Sequence, residues 1–191
     1  FETDAWEIDF VFTGSQKALA LPPGLAFGVA SPAFIAHAAR AEGRGRYFDL
    51  VEFERFAERA QTPNTPALSL LYALEVQCAA LAEEGIEARW RRHEAMRRRV
   101  EEWVASVVAR GMHAGILAPE GARSPTVTAV TLPAGRSGKE VAEAMEARGY
   151  VIGAGYGKLR ERTIRIGHMG DHTVAGLDRC LATLDAVLGL R

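Results

Sequence analysis

From Ile86 to about Arg110 the apolar residues recur at three- and four-residue spacing: Ile86, Trp90, His93, Met96, Val100, Trp103, Val104 and Val107. That period predicts one long helix with a single buried stripe, His93 being a core histidine satisfied by a backbone group. A helix of this length must lay its stripe on something, and the sequence after it alternates strand and helix. Thr126 to Leu132 is β-branched with period two, and Ser137-Gly138-Lys139-Glu140 reads as a capping box for a helix over Val141 to Arg148, closed by Gly149. Tyr150 to Ile152 and Thr163 to Ile166 read as strands. Thr173 to Leu188 reads as a final amphipathic helix with Leu177, Leu181, Leu184 and Leu188 on one side. Helices over a small sheet form a layered α/β or α+β unit.

The outer face of the long helix carries Arg89, Arg91, Arg92, Arg97, Arg98 and Arg99. Glu87 with Arg91, Glu94 with Arg98, and Arg98 with Glu102 are opposite charges four residues apart, so the face is read as solvated and self-paired. The net charge of -1 removes the electrostatic reason to expect nucleic acid or an anionic membrane as partner. No apolar run approaches the ~20 residues needed to cross a bilayer. With 48% hydrophobic residues in 191, a real core is affordable in one or two domains. Cys78 and Cys180 fall in apolar-periodic helices and read as buried free thiols of a reducing cytoplasm.

Ahead of the long helix, residues 5 to 12 and 25 to 31 read as two short apolar strands, and Pro32 ends the second. Ala33 to Arg40 reads as a short helix, the segment around Gly43-Arg44-Gly45-Arg46-Tyr47 as a polar loop, and Leu50 to Arg59 as an exposed helical piece. A further helix is expected from about Ala67 to Glu83, with Thr65 as N-cap, Pro66 in the first turn and Gly85 as the stop. A helix start beside the hydroxyls of Thr62 and Thr65 would suit an anion, although ordinary capping explains Thr65 completely and is the better reading of the residues alone.

Between the two strands lies Thr13-Gly14-Ser15-Gln16-Lys17-Ala18-Leu19, followed by Leu21-Pro22-Pro23-Gly24. A lysine of ordinary pKa ~10.4 leaves ~0.04% free amine at neutral pH, so a nucleophilic lysine must be desolvated or set beside another cation. Lowering the pKa to ~7.4 would raise that fraction to roughly 30%. Lys17, on a small-residue turn flanked by apolar sequence, could meet this need, and a lone surface lysine is the bland alternative.

The string Gly14-Ser15-Gln16-Lys17-Ala18-Leu19 with Pro22-Pro23-Gly24 resembles the pyridoxal-phosphate lysine segment of the class V aminotransferases. The similarity is to the alanine-glyoxylate, serine-glyoxylate and serine-pyruvate aminotransferase group. A second string, Arg165-Ile166-Gly167-His168-Met169-Gly170, resembles the same family, and Thr62-Pro63-Asn64-Thr65-Pro66 falls between them in the expected order. Strand alternation places Arg165 opposite Ile164 and Ile166, from where its guanidinium could hold a carboxylate through two parallel hydrogen bonds.

The resemblance implies an α/β fold, the C-terminal half of a fold-type I pyridoxal-phosphate transferase. Residues 1–84 would complete the large cofactor domain and residues 85–191 would form the small C-terminal domain. It implies Lys17 as the Schiff-base lysine and proton shuttle, with Gln16, Thr62 and Thr65 toward pyridoxal 5'-phosphate. Thr62 and Thr65 would reach the cofactor phosphate of the neighbouring subunit in a homodimer with a shared active site, Thr62 standing where some relatives have tyrosine. Arg165 would clamp the carboxylate of a small amino or keto acid, serine or alanine with glyoxylate or pyruvate. The aspartate, stacking ring and glycine-rich turn that the family uses would precede Phe1, so the 191-residue chain alone is expected to be poorly active.

The alternatives are a non-catalytic or truncated aminotransferase-like dimerisation module, or a relative labelled as a soluble hydrogenase subunit. A cysteine desulfurase would need a loop cysteine, and both cysteines lie within expected helices. Gly153-Ala154-Gly155-Tyr156-Gly157-Lys158 does not match nucleotide fingerprints and reads as a mobile loop at the substrate entrance. His168 and Asp171 read as loop residues.

Overall fold

The computed structural model describes residues 2–190, and the chain divides into two compact units, Phe1–Ala79 and Ala80–Arg191. In the first, strand β1 (Phe10–Gly14) pairs antiparallel with β2 (Ala26–Ala30), in the register Phe10 to Ala30 through Gly14 to Ala26. The Phe10 ring stacks on Phe34 of helix α1 (Pro32–Ala38), with centroids 5.2 Å apart. Ser31 caps α1: its hydroxyl accepts from the Phe34 amide at 3.0 Å and donates to Asp9 at 2.7 Å. Pro32 takes the first helical position, where a missing N–H costs nothing. Asp49 caps α2 (Leu50–Ala57) and also pairs with Arg44 Nε at 3.1 Å.

The strand read over residues 5 to 12 starts later than its apolar pattern suggests. Trp6 N–H donates to Glu2 O and Ile8 N–H to Thr3 O, so these residues form a turn, with Glu7 at φ 50°. The ladder forms only where β2 lies opposite, and β1 therefore runs on through Thr13 and Gly14 toward the lysine.

Helix α3 (Leu68–Glu84) also starts later than expected. The Ala67 carbonyl accepts the first bonds, from Leu70 at 3.0 Å and Leu71 at 3.0 Å, so Thr65 does not cap it. No residue of α3 is buried. Cys78, read as a buried thiol, is exposed for that reason, and Leu68, Tyr72 and Val76 are left open along the same helix.

The second unit is a two-layer α/β arrangement. After Gly85, at φ 78°, helix α4 (Ile86–Ala109) begins, and the chain then contributes β3 (Gly115–Ile116), β4 (Val127–Thr131), α5 (Gly138–Glu146), β5 (Gly153–Ala154), β6 (Thr163–Gly167) and α6 (Val174–Leu188). The sheet order is β3-β4-β6-β5 and every neighbouring pair is antiparallel. One core joins the layers: Met96, Val100 and Val107 from α4, Val130 from β4, Ile164 and Ile166 from β6, Val141 and Met145 from α5, and the four α6 leucines, Leu177, Leu181, Leu184 and Leu188. These leucines are the residues that the helical period selects.

Two details depart from the periodic reading. Ile86 and Trp90 are half-exposed, and the buried stripe of α4 instead begins at Arg89, whose guanidinium pairs with Glu84 at 2.9 Å and Asp171 at 2.9 Å. The strand expected at Tyr150–Ile152 forms at Gly153–Ala154, because that is where Arg165 and Ile164 of β6 lie opposite. Glycine loop and strand edge are thus the same residues, and a 3₁₀ turn over Gly157–Leu159 follows.

Candidate functional site

The lysine turn is held by one buried hydroxyl. Ser15, fully buried, donates through Oγ to Pro22 O at 2.7 Å and accepts from the Leu25 amide at 3.3 Å. Its backbone closes the same loop, with Ser15 N–H to Leu25 O at 3.0 Å and Leu21 N–H to Ser15 O at 3.0 Å. Lys17 sits at the tip, exposed, its carbonyl accepting from Ala20 N–H at 2.9 Å. Ala20 takes φ 55°, which tightens the turn at some backbone cost. Gln16 is exposed and its amide lies against Gly14, where a Cβ would stand 2.5 Å from Oε1. The apolar flanks of the string therefore do not bury Lys17 within this unit. They anchor the turn that presents it.

Thr62 and Thr65 are both exposed. The Thr62 hydroxyl donates to Asn64 O at 2.8 Å, so its proton is already engaged in the local turn. Lys17, Gln16, Thr62 and Thr65 belong to the first unit, and Arg165 to the second.

Arg165 projects from β6 between the buried Ile164 and Ile166. Its Nε donates to Ala154 O at 2.8 Å, and its guanidinium carbon lies 4.0 Å from the centre of the Tyr156 ring. At Gly153 a Cβ would stand 2.7 Å from Nη2 and 3.1 Å from Cζ, so only a glycine leaves the guanidinium its place. Among the described residues no carboxylate pairs with Arg165, in contrast to Arg89, Arg97, Arg98 and Arg99 of α4. A side chain anchored through Nε and presenting its two Nη groups is arranged to receive a carboxylate end-on.

Further buried or charge-paired groups are His93, which is the core histidine bound to a backbone carbonyl that the sequence suggests, and His168, Asp171 and Glu84, for which the sequence suggests no such role. His168 is fully buried, with Nε2 at 2.9 Å from Thr128 Oγ1, and burial pushes its pKa below the ordinary 6.5. His93 is also buried, with Nε2 at 3.2 Å from Gly170 O, and burial lowers its pKa as well. Asp171, read as a loop residue, pairs with Arg89. Glu84 joins Arg89 and Arg92, and its hydrogen bond to Arg92 leads the effects that hold its pKa at about 2. The signal for Ser15 and Tyr156 lay only in their adjacency to Lys17 and to the glycines facing Arg165.

No family model matches the chain. An uncharacterised aminotransferase of Methanocaldococcus jannaschii is 37% identical over 187 residues, covering 96% of this chain and 46% of the relative. The serine-glyoxylate aminotransferase of Arabidopsis thaliana is 32% identical over 194 residues, covering 98% of this chain and 46% of its own. Among solved structures, the alanine-glyoxylate aminotransferase from Nostoc sp. matches with a TM-score of 0.84 and 28% identity, over 97% of this chain and 49% of that one. The chain spans about half the length of the curated relatives it matches. Sequence and fold agree across nearly all of its residues, and it belongs to the class V aminotransferase family.

Proposed function

We propose that the chain serves pyridoxal-phosphate-dependent transamination between a small amino acid, serine or alanine, and a small keto acid, glyoxylate or pyruvate. The observation that carries the reading is the Lys17 amine, exposed at the tip of a turn that the buried Ser15 hydroxyl closes. The residues present fit the cofactor: an accessible amine on a fixed turn, and exposed hydroxyls at Thr62 and Thr65 suited to phosphate oxygens. When bound, pyridoxal phosphate supplies the electron sink for loss of the amino acid's α-proton.

In this reading Lys17 holds the cofactor through Nζ and moves the proton at that nitrogen. Gln16 lies beside it, and Thr62 and Thr65 approach the phosphate. For Thr62 this requires its hydroxyl to turn away from Asn64 O. The Nη groups of Arg165 take the substrate carboxylate. The desolvation that a reactive amine needs then comes from protein outside the first unit. A homodimer with a shared active site would provide it, and would cover the open side chains of β1, β2 and α3, Phe12, Val29 and Val76 among them. The exposed free thiol of Cys78 suits a reducing cytoplasm. Among the described residues no helix is long and apolar enough to cross a membrane.

The sequence contains three lysines, Lys17, Lys139 and Lys158, which makes the test sharp. The chain is incubated with pyridoxal phosphate, reduced with borohydride and mapped by peptide mass spectrometry. Label concentrated at Lys17 supports the reading. Equal label on Lys139 and Lys158, or none on Lys17, rejects it. Sedimentation of the same sample reads the oligomeric state.

A further inference from the structure

The geometry points to Tyr156 as a positioning residue for a carboxylate ligand: with Gly153 and Ala154 it holds the Arg165 guanidinium in one orientation and covers one of its faces. The inference rests on the reading of Arg165 as the partner of the substrate carboxylate, and extends it to residues that approach the anion only through Arg165.

Three contacts converge on one planar group. The Ala154 carbonyl takes the Nε–H at 2.8 Å. The Tyr156 ring lies at 4.0 Å from Cζ, within the range where a π-face attracts a cation. On the third side Gly153 leaves a space that a Cβ would fill at 2.7 Å from Nη2. The support beneath is rigid: Gly153 pairs with Arg165 and Ala154 with Ile164 across β5 and β6, and the Gly155 amide donates to Thr163 O at 3.0 Å. A free arginine side chain populates many rotamers, and ordering it on binding is a cost that preorganisation removes in advance. With Nε occupied and one face covered, the Nη1–Nη2 edge remains as the docking edge. That geometry favours a planar, bidentate carboxylate approaching in the plane of the guanidinium. Tyr156 is itself largely exposed, so its position costs burial that the fold does not repay through packing.

The test measures binding of pyruvate, the probe, to the 191-residue chain, with the Arg165 Nε–Hε signal followed by NMR. In the wild type the Tyr156 ring current should displace that signal from the random-coil position, and pyruvate should titrate it. Tyr156→Phe keeps the ring and should retain both the displaced signal and the affinity. Tyr156→Leu should return the signal toward its random-coil position and weaken pyruvate by about two- to fivefold, the worth of an exposed cation–π contact. Gly153→Ala, which pushes the flexible guanidinium aside, should weaken it as well. Arg165→Gln should abolish the titration.

If Tyr156→Leu leaves signal and affinity unchanged while Arg165→Gln abolishes binding, Tyr156 does not position the arginine and the carboxylate reading survives alone. Pyruvate affinity that is indifferent to Arg165→Gln, or no titration in the wild type, overturns the carboxylate reading together with the inference.

Discussion

The Ser15 hydroxyl donates to the Pro22 carbonyl at 2.7 Å across seven residues, and with the Ser15 backbone bonds to Leu21 and Leu25 it closes the loop that carries Lys17. Ser15 is fully buried while Lys17, two positions on, is exposed. A buried anchor and an exposed tip are the two requirements for presenting an amine at a fixed place.

Ser15→Ala removes the donor to Pro22 O and the acceptor of the Leu25 amide at once. The expected loss is about 1 kcal/mol in urea denaturation, since the Pro22 end is exposed enough for water to replace one partner. Hydrogen exchange should rise selectively at the Leu21 and Leu25 amides, whose bonds to Ser15 define the loop. Unchanged exchange at both amides would mean that the hydroxyl is not the closure.

Truncations should separate the two units. Leu184 of α6 is fully buried in the core of the second unit, and Leu184→Ala should cost about 2–5 kcal/mol through lost transfer energy and a residual cavity. Val76 on α3 is 71% exposed, and Val76→Ala should stay within about 0.5 kcal/mol in this chain. Chemical denaturation of the two variants beside the wild type measures both. A comparable cost at Val76 would show that α3 is covered in solution.

Acid should weaken the second unit through Glu84. Its hydrogen bond to Arg92, followed by that to Arg89, lowers its pKa from an ordinary 4.5 to about 2 against the opposing effect of burial. A depressed carboxylate contributes stability that is complete above the unfolded value and lost as pH falls from about 4.5 toward about 2. Glu84→Gln should therefore be less stable than wild type at neutral pH, and the difference should shrink through that window. Thermal denaturation across the acid range reads it, and a pH-independent difference would assign the loss to packing instead.

His168 acts in the same direction at a higher pH. Burial lowers its folded pKa below 6.5, so the folded chain holds it neutral while the unfolded chain takes up a proton. The stability it contributes is present above 6.5 and declines as pH falls below it. Wild-type denaturation midpoints should drop between about pH 7.5 and about pH 5.5, and His168→Leu should drop less. His93, buried and likewise lowered, leaves a residual slope in that variant. Equal slopes in the two proteins would remove His168 from the account.

The periodic elements were legible in the residues themselves. The α6 leucines, the α4 stripe from Met96 to Val107 and the break at Gly85 follow from helical spacing and from a glycine at positive φ. The strings around Lys17 and Arg165 were also legible, because a lysine in a small-residue turn and an arginine between strand isoleucines are local patterns.

What surrounds those two side chains was decided by tertiary structure. Glu84 gives Arg89 a partner close in sequence, and the arrival of Asp171, 82 residues later, adds a second carboxylate, so that the buried charge is paired on two sides. Tyr150–Ile152 carries the better strand pattern, yet the ladder forms at Gly153–Ala154, where β6 lies opposite and the absence of a Cβ admits the Arg165 side chain. The apolar content of α3 predicts burial, and its 17 residues reach at most partial burial in this chain. Periodicity follows from backbone geometry and is written in each segment. Pairing, burial and desolvation depend on what arrives from elsewhere in the sequence, and only the folded arrangement determines that.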